Sequence, residues 1–149
     1  LAMQIPGVAN CVEMKGIGLV TIAGFLAETG DLSRFQHTKQ IQKLAGLNLK
    51  ENSSGKYKGK TKITKRGRRR LRALLFRAIL PLTAQNQQFK ELHKYYTTRE
   101  HNPLKKMQSL TLLCCKLIRI LYTLIKKQVK YDGEKMMSDI KRPKLQEAA

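Results

Sequence analysis

From Leu104 to about Val129 the chain is apolar almost all round the middle of a helical pattern, and a helix of that kind has to be buried. Its longest apolar run, Leu110 to Ile125, is interrupted by Lys116 and Arg119. The run is also shorter than the roughly 20 residues a bilayer span requires. It therefore predicts the central helix of a bundle rather than a membrane span. The preceding segments supply cover. Leu71, Leu74, Leu75, Ala78, Ile79 and Leu82 recur at helical spacing, with Thr64 as a candidate cap and Pro81 expected to bend or end the helix. Phe89, Leu92 and Tyr96 lie on one side of a second amphipathic segment. Asn102-Pro103 breaks the chain before the long helix, and Pro103 suits a first helical position. The fold class that follows is mainly α, a small helical bundle.

The N-terminal third reads as a helix-hairpin-helix-like unit. Gly16-Ile17-Gly18 precedes a helical pattern whose apolar positions are Val20, Ala23, Leu26 and Ala27, with Gly30 closing it and Asp31 starting the next turn. A glycine turn of this type exposes backbone N–H groups at a helix N-terminus, where they can hold a phosphate. A plain tight turn between two helices fits the same residues. "TKQIQKLAG" predicts a short helix capped by Thr38, with Ile41, Leu44 and Ala45 inward and Gly46 as its stop. Helical periodicity then fades through "LNLKENSSGKYKGK", a basic loop with a short extended piece around Lys58 to Ile63. The organisation expected is a segment over 1–49, a basic helical region over 50–130 that forms one composite domain with it, and a polar tail over 131–149.

Charge is concentrated. The formal net charge is +20, and residues 50–77 hold twelve basic side chains against one acid, Glu51. Residues 1–49 hold four basic and three acidic side chains, and residues 78–149 hold fourteen and six. Such an excess repels itself unless it meets a polyanion, so nucleic acid is the first partner to expect. A membrane-surface role fits poorly, because the arginine run lacks a Trp/Phe-rich face. The candidate DNA-contacting residues are Gly16, Gly18, Lys56, Lys58, Lys60, Lys62, Lys65, Arg66, Arg68, Arg69, Arg70 and Arg72.

Catalytic signatures are few. The acids are scattered, and His37, His93 and His101 have no ligand spacing, so no metal site is expected in this chain. Cys11, Cys114 and Cys115 read as small apolar core residues in a reducing cytoplasm. No serine-hydrolase elbow or Walker loop is present. What remains is the pair Ser53–Ser54 beside many cations. A hydroxyl there can attack a phosphodiester while the cations stabilise the growing charge. From chemistry alone, such a pair is more often a flexible polar turn, and such a basic run more often grips backbone than catalyses.

The order of these pieces carries more than any one of them. "IPGV", "KGIG", "AGFLAETGDLSRF", "KLAGL", "ENSSGKYKGKTKITKRGRRRLR" and "NPLKKMQSLTLLCCKLIRILYTL" follow one another from about Ile5 to Leu124. The succession closely resembles the C-terminal domain of the insertion-sequence 110/116/902 family of transposases. The resemblance implies a serine nucleophile that forms a phosphoserine link to DNA. It maps to Ser54, directly before Gly55, with Ser53 as the alternative. It also implies that the metal-binding DEDD carboxylates, with their Mg2+, belong to an N-terminal domain outside this chain, so that the chain by itself does not transpose. A structured guide RNA, homo-oligomers on DNA and a bacterial cytoplasmic, nucleoid-associated location belong to the same implication. The chain departs from the family pattern in two places: Arg68 follows Gly67 where the family usually has asparagine, and Lys50-Glu51 stand where a proline is common before the serine. The alternative function is a non-catalytic basic nucleic-acid-binding module derived from such a transposase.

Overall fold

The computed structural model describes residues 7–12, 14–50, 53–54, 57–58, 62–127, 132 and 137, with backbone alone for 12, 49–50, 53–54 and 57–58. Helices dominate: α1 (Val8–Val12), α2 (Leu19–Thr29), a 3-10 turn (Leu32–Arg34), α3 (Thr38–Leu44), α4 (Arg69–Gln85), α5 (Gln87–Thr98) and α6 (Lys106–Lys127). Four two-residue strands lie between α3 and α4: β1 (Leu49–Lys50), β2 (Ser53–Ser54), β3 (Tyr57–Lys58) and β4 (Lys62–Ile63). Of the extended piece expected around Lys58 to Ile63, Lys58 ends β3 and Lys62–Ile63 form β4, each paired with an earlier strand, while residues 59–61 lie outside the described residues.

α6 is the central helix. It packs against α1, α3, α4, α5 and the 3-10 turn. By length and composition it could cross a membrane. Its apolar residues instead meet protein: Leu110, Leu113, Cys114, Leu117, Ile118, Leu121 and Ile125 are all buried. Lys116 is buried too, whereas Arg119 is exposed. The helix starts at Lys106, so Pro103 lies in the preceding loop and not at a first helical position. Asn102 there adopts a left-handed φ of 52°.

α2 corrects the reading of its apolar face. Ile22, Phe25 and Thr29 point inward, while Val20 is 85% exposed and Ala27 is exposed. The helix is apolar nearly all round, so composition did not choose a face. Packing chose it, and α4 lies along another side, where a Cβ on Gly24 would sit 3.1 Å from Leu74 Cδ1. α2 runs antiparallel to α4. Gly16, before its start, lies against Leu82, and Glu28, near its end, pairs with Arg68 at 2.8 Å.

α4 continues through Pro81 to Gln85, against the expected bend or stop. Pro81 and Arg77 are both on the exposed side. The Arg77 carbonyl that proline leaves without an amide partner therefore faces water, and the break is tolerated. The buried face is the predicted one, Leu71, Leu75, Ala78, Ile79 and Leu82, with Leu74 half-buried. Asn86 then joins α4 to α5. Its Oδ1 accepts from Gln88 N and Phe89 N, and its Nδ2 donates to Lys15 O at 2.9 Å. Phe89, Leu92 and Tyr96 are buried as expected. Each such large apolar side chain contributes roughly 1.5–3 kcal/mol by leaving water.

Two caps differ by a few residues from the sequence reading. His37, not Thr38, caps α3: its Nδ1 accepts from Lys39 N at 3.1 Å, and Gln40 completes a capping box. α4 begins with Arg68 at its N-cap and no side-chain cap, so Thr64 does not cap it. Thr64 Oγ1 instead accepts from Arg66 N and donates to Gly46 O.

Candidate nucleic-acid interface

The serine pair stands in a nest of strand pairings. β1 pairs antiparallel with β4 (Leu49 with Ile63, Lys50 with Lys62), and within that span β2 pairs antiparallel with β3 (Ser53 with Lys58, Ser54 with Tyr57). The residue numbers of paired positions sum to 112 in the outer ladder and 111 in the inner one, so the return side carries one extra residue. The chain between Leu49 and Ser54 is five residues long. It tethers the serine within about 18 Å of the ladder's base.

That base is laced to two helix ends. Thr64 N donates to Asn48 O (2.8 Å), Lys65 N to Gly46 O (3.0 Å) and Arg68 N to Leu44 O (2.6 Å). The C-terminus of α3 and the N-terminus of α4 therefore flank the strands directly. The close approach demands glycine at two points. A Cβ on Gly67, at φ 149°, would collide with the Leu44 carbonyl oxygen. A Cβ on Gly46, at φ 72°, would come 2.8 Å from Arg72 Nη1 and 3.0 Å from the Lys65 carbonyl carbon. Lys65 holds a left-handed φ of 53° without being glycine, a conformation that persists only where its surroundings impose it.

The cations divide into two groups. Lys62, Lys65, Arg66, Arg69 and Arg70 are exposed, and among the described residues their side chains have no hydrogen-bond partner. Arg69 and Arg70 lie in the first turn of α4 and Lys65 and Arg66 lead into it; the leading N–H groups there lack a side-chain cap and favour an anion. Arg68 and Arg72 are engaged internally. Arg68 Nε donates to Glu28 Oε2, and Arg72 Nη1 donates to Ala45 O and Lys65 O, each at 3.3 Å. Lys58 is described by its backbone, and Lys56 and Lys60 lie outside the described residues.

The glycine turn is elsewhere. Gly16, at φ 96°, would put a Cβ 3.2 Å from Leu82 Cα, so it serves packing of the turn on α4. Gly18 is the N-cap of α2, exposed, with no atom near where its Cβ would be and no side-chain cap. The turn meets α4 at Leu82, thirteen residues beyond Arg69, which is about 20 Å along the helix. The two expected contact sets thus occupy opposite ends of the α2–α4 pair.

Sequence reasoning missed Glu28 as a partner of Arg68 and the internal role of Arg72. The signal in the sequence is slight: Glu28 is a lone acid near the end of an apolar helix. Nothing in the local spacing of Arg72 announced carbonyl partners 27 and 7 residues away. Among the described residues no three His, Cys, Asp or Glu side chains gather to hold a metal ion. The thiols are packing groups: Cys11 and Cys114 are buried, Cys115 is half-buried, and all are free. Burial pushes the Cys11 thiol up to about 12 and raises those of Cys114 and Cys115.

The described residues form a helical bundle with a cluster of exposed cations near an uncapped helix start. Its family is specific: residues 1–96 match the family described as Transposase IS116/IS110/IS902, about two-thirds of the chain, and the chain belongs to that family. The family is one of DNA transposases, which makes DNA the partner class. The match ends at Tyr96, so the likeness over Asn102 to Leu124 stands outside it. No curated protein matches the chain.

Proposed function

We propose that this chain is the strand-cleaving, DNA-gripping part of the transposase, with Ser54 as nucleophile. The Ser54 Oγ attacks a backbone phosphorus. A serine–phosphorus bond forms, the bond from phosphorus to one deoxyribose oxygen breaks, and that oxygen leaves as a hydroxyl carrying the proton that the serine gave up. Rejoining is the reverse attack by a deoxyribose hydroxyl. Nearby cations stabilise the charge that grows on the phosphorus oxygens. Any Mg2+ chemistry belongs to carboxylates of another domain.

The observation that supports this reading most is the common base. The ladders that contain Ser53–Ser54 spring from the same few residues, 64–68, that lead into the uncapped and arginine-lined start of α4. Lys62, Lys65, Arg66, Arg69 and Arg70 hold the DNA backbone there. The N-terminus of α2 at Gly18 holds a second stretch of backbone about 20 Å away, roughly six base pairs along a duplex. Part of the positive charge faces a structured guide RNA, and homo-oligomers bring two serines to one exchange.

The test uses the complete transposase with its RNA and a labelled DNA target, on a denaturing gel. A covalent protein–DNA adduct that is lost in Ser54→Ala and kept in Ser53→Ala is expected. Loss in Ser53→Ala alone moves the nucleophile by one residue. No adduct from the wild type under conditions where DNA is bound favours the non-catalytic binding module.

A further inference from the structure

We propose that Arg72 is a positioning residue: it sets the direction of the serine-bearing ladders by tying both of their roots to the first turn of α4. The proposal rests on the reading of Ser54 as nucleophile only for its catalytic consequence.

The argument begins with how little a short ladder can do alone. A single two-stranded hairpin is marginal in water, and here each ladder is two residues deep. Its direction is therefore decided at the root. There, one strand arrives through Ala45, Gly46 and Leu47, and the other departs through Thr64, Lys65 and Arg66. Among the described residues, Arg72 is the one arginine whose guanidinium touches both. Nη1 donates to the carbonyl of Ala45 on the arriving side and to the carbonyl of Lys65 on the departing side, both at 3.3 Å. Its own backbone is in the first turn of α4, where its N–H bonds to Arg68 O at 3.1 Å. One nitrogen thus joins two strand roots and a helix start.

The surroundings are built to admit it. Gly46 leaves room for the guanidinium, because a Cβ there would stand 2.8 Å from Nη1. Lys65 takes its left-handed turn at the carbonyl that Arg72 holds. Arg72 is half-buried, whereas Arg66, Arg69 and Arg70 around it are exposed. A guanidinium suits the task, since its planar fork offers several donors in fixed directions.

The consequence is a separation of roles inside one basic run. Arg66, Arg69 and Arg70 meet phosphate. Arg72 acts through the ladder instead, and its removal misaims the serine without removing a phosphate contact.

The experiment has three arms. Spin labels at Ser54→Cys and Lys90→Cys, in a Cys115→Ala background, report the distance between ladder and bundle in the chain itself. Arg72→Ala should broaden or shift that distance while the thermal midpoint and helical content hold. Salt dependence of DNA binding should keep the wild-type slope in Arg72→Ala, whereas a lost phosphate contact reduces it by about 0.9. In the complete transposase, adduct formation at saturating DNA should fall roughly a hundredfold, the scale of an ångström-sized misplacement. Should Arg72→Ala fail to fold, Arg72→Gln, which keeps a shorter donor, is expected to give an intermediate distance change and partial adduct formation. An unchanged distance distribution in a folded variant overturns the proposal, and so does a reduced salt slope. If the distance moves but Ser54→Ala still forms the adduct, the positioning stands and the nucleophile assignment falls.

Discussion

Arg66, Arg68, Arg69, Arg70 and Arg72 fall within seven consecutive positions, yet their partners separate them. Arg68 is paired with Glu28 at 2.8 Å, with half of its side chain still exposed, so the pair itself is worth little to stability. Its effect is on charge at the interface. Glu28→Gln frees a guanidinium beside the α4 start and removes a negative charge, and should tighten DNA binding and steepen its salt dependence. Titrations across a salt series read this directly; an unchanged slope would mean that Arg68 never meets DNA. Arg66→Ala, Arg69→Ala and Arg70→Ala should each flatten the slope by about 0.9. Gly67 is sensitive for a different reason. Its φ of 149° and the Leu44 carbonyl beside it leave no space for a methyl group. Gly67→Ala should cost about 2 kcal/mol or more, measured by denaturant unfolding.

At the scale of elements, α2 shows how an apolar helix leaves its orientation undecided. Val20, Ala23, Leu26 and Ala27 form one helical stripe, and Ile22, Phe25 and Thr29 form another. The second stripe is the buried one, and α4 lies along another side of the helix, with Leu74 against Gly24. Phe25→Ala should therefore cost about 3–5 kcal/mol, and Val20→Thr should stay within about 0.5 kcal/mol of wild type. Equal effects in chemical denaturation would contradict the packing described. The α4–α5 junction is held by Asn86, which caps α5 and reaches Lys15 O. Asn86→Ala should cost about 1–2 kcal/mol from the lost cap, and more from leaving buried backbone groups unpaired.

Over the whole molecule, the three thiols make stability depend on pH in the alkaline range. Burial raises their folded-state values above the ordinary 9.0, to about 12 for Cys11. A thiol raised in this way stays neutral in the folded chain while the unfolded chain ionises. Its contribution is complete below about pH 9 and is lost as pH rises from there toward 12, by up to about 1.4 kcal/mol per pH unit for each thiol. Urea unfolding at a series of pH values should show the decline, and Cys114→Ala should flatten it. The same burial predicts slow alkylation of Cys11 and Cys114 until the bundle opens. The transposase assignment also belongs to this scale, since it rests on a match over 96 residues rather than on any one motif.

The sequence by itself determined what depends on local order. Helix positions followed from apolar spacing, the helix stops from Gly30 and Gly46, and the expectation of a polyanion partner from twelve cations against one acid over 50–77. The central burial of α6 followed from an apolar surface too wide to face water. Tertiary structure alone decided what depends on a neighbour distant in sequence. It chose the buried face of α2, let α4 run through Pro81 on an exposed side, and set Gly16 against Leu82. It also tied Arg68 to Glu28 at the surface and drew Arg72 to the Ala45 carbonyl, partners that lie 40 and 27 residues away. A run of arginines is uniform as sequence; which of them can reach an internal carbonyl or carboxylate is a matter of distance in space, and that is fixed only when α2, α3 and α4 have packed.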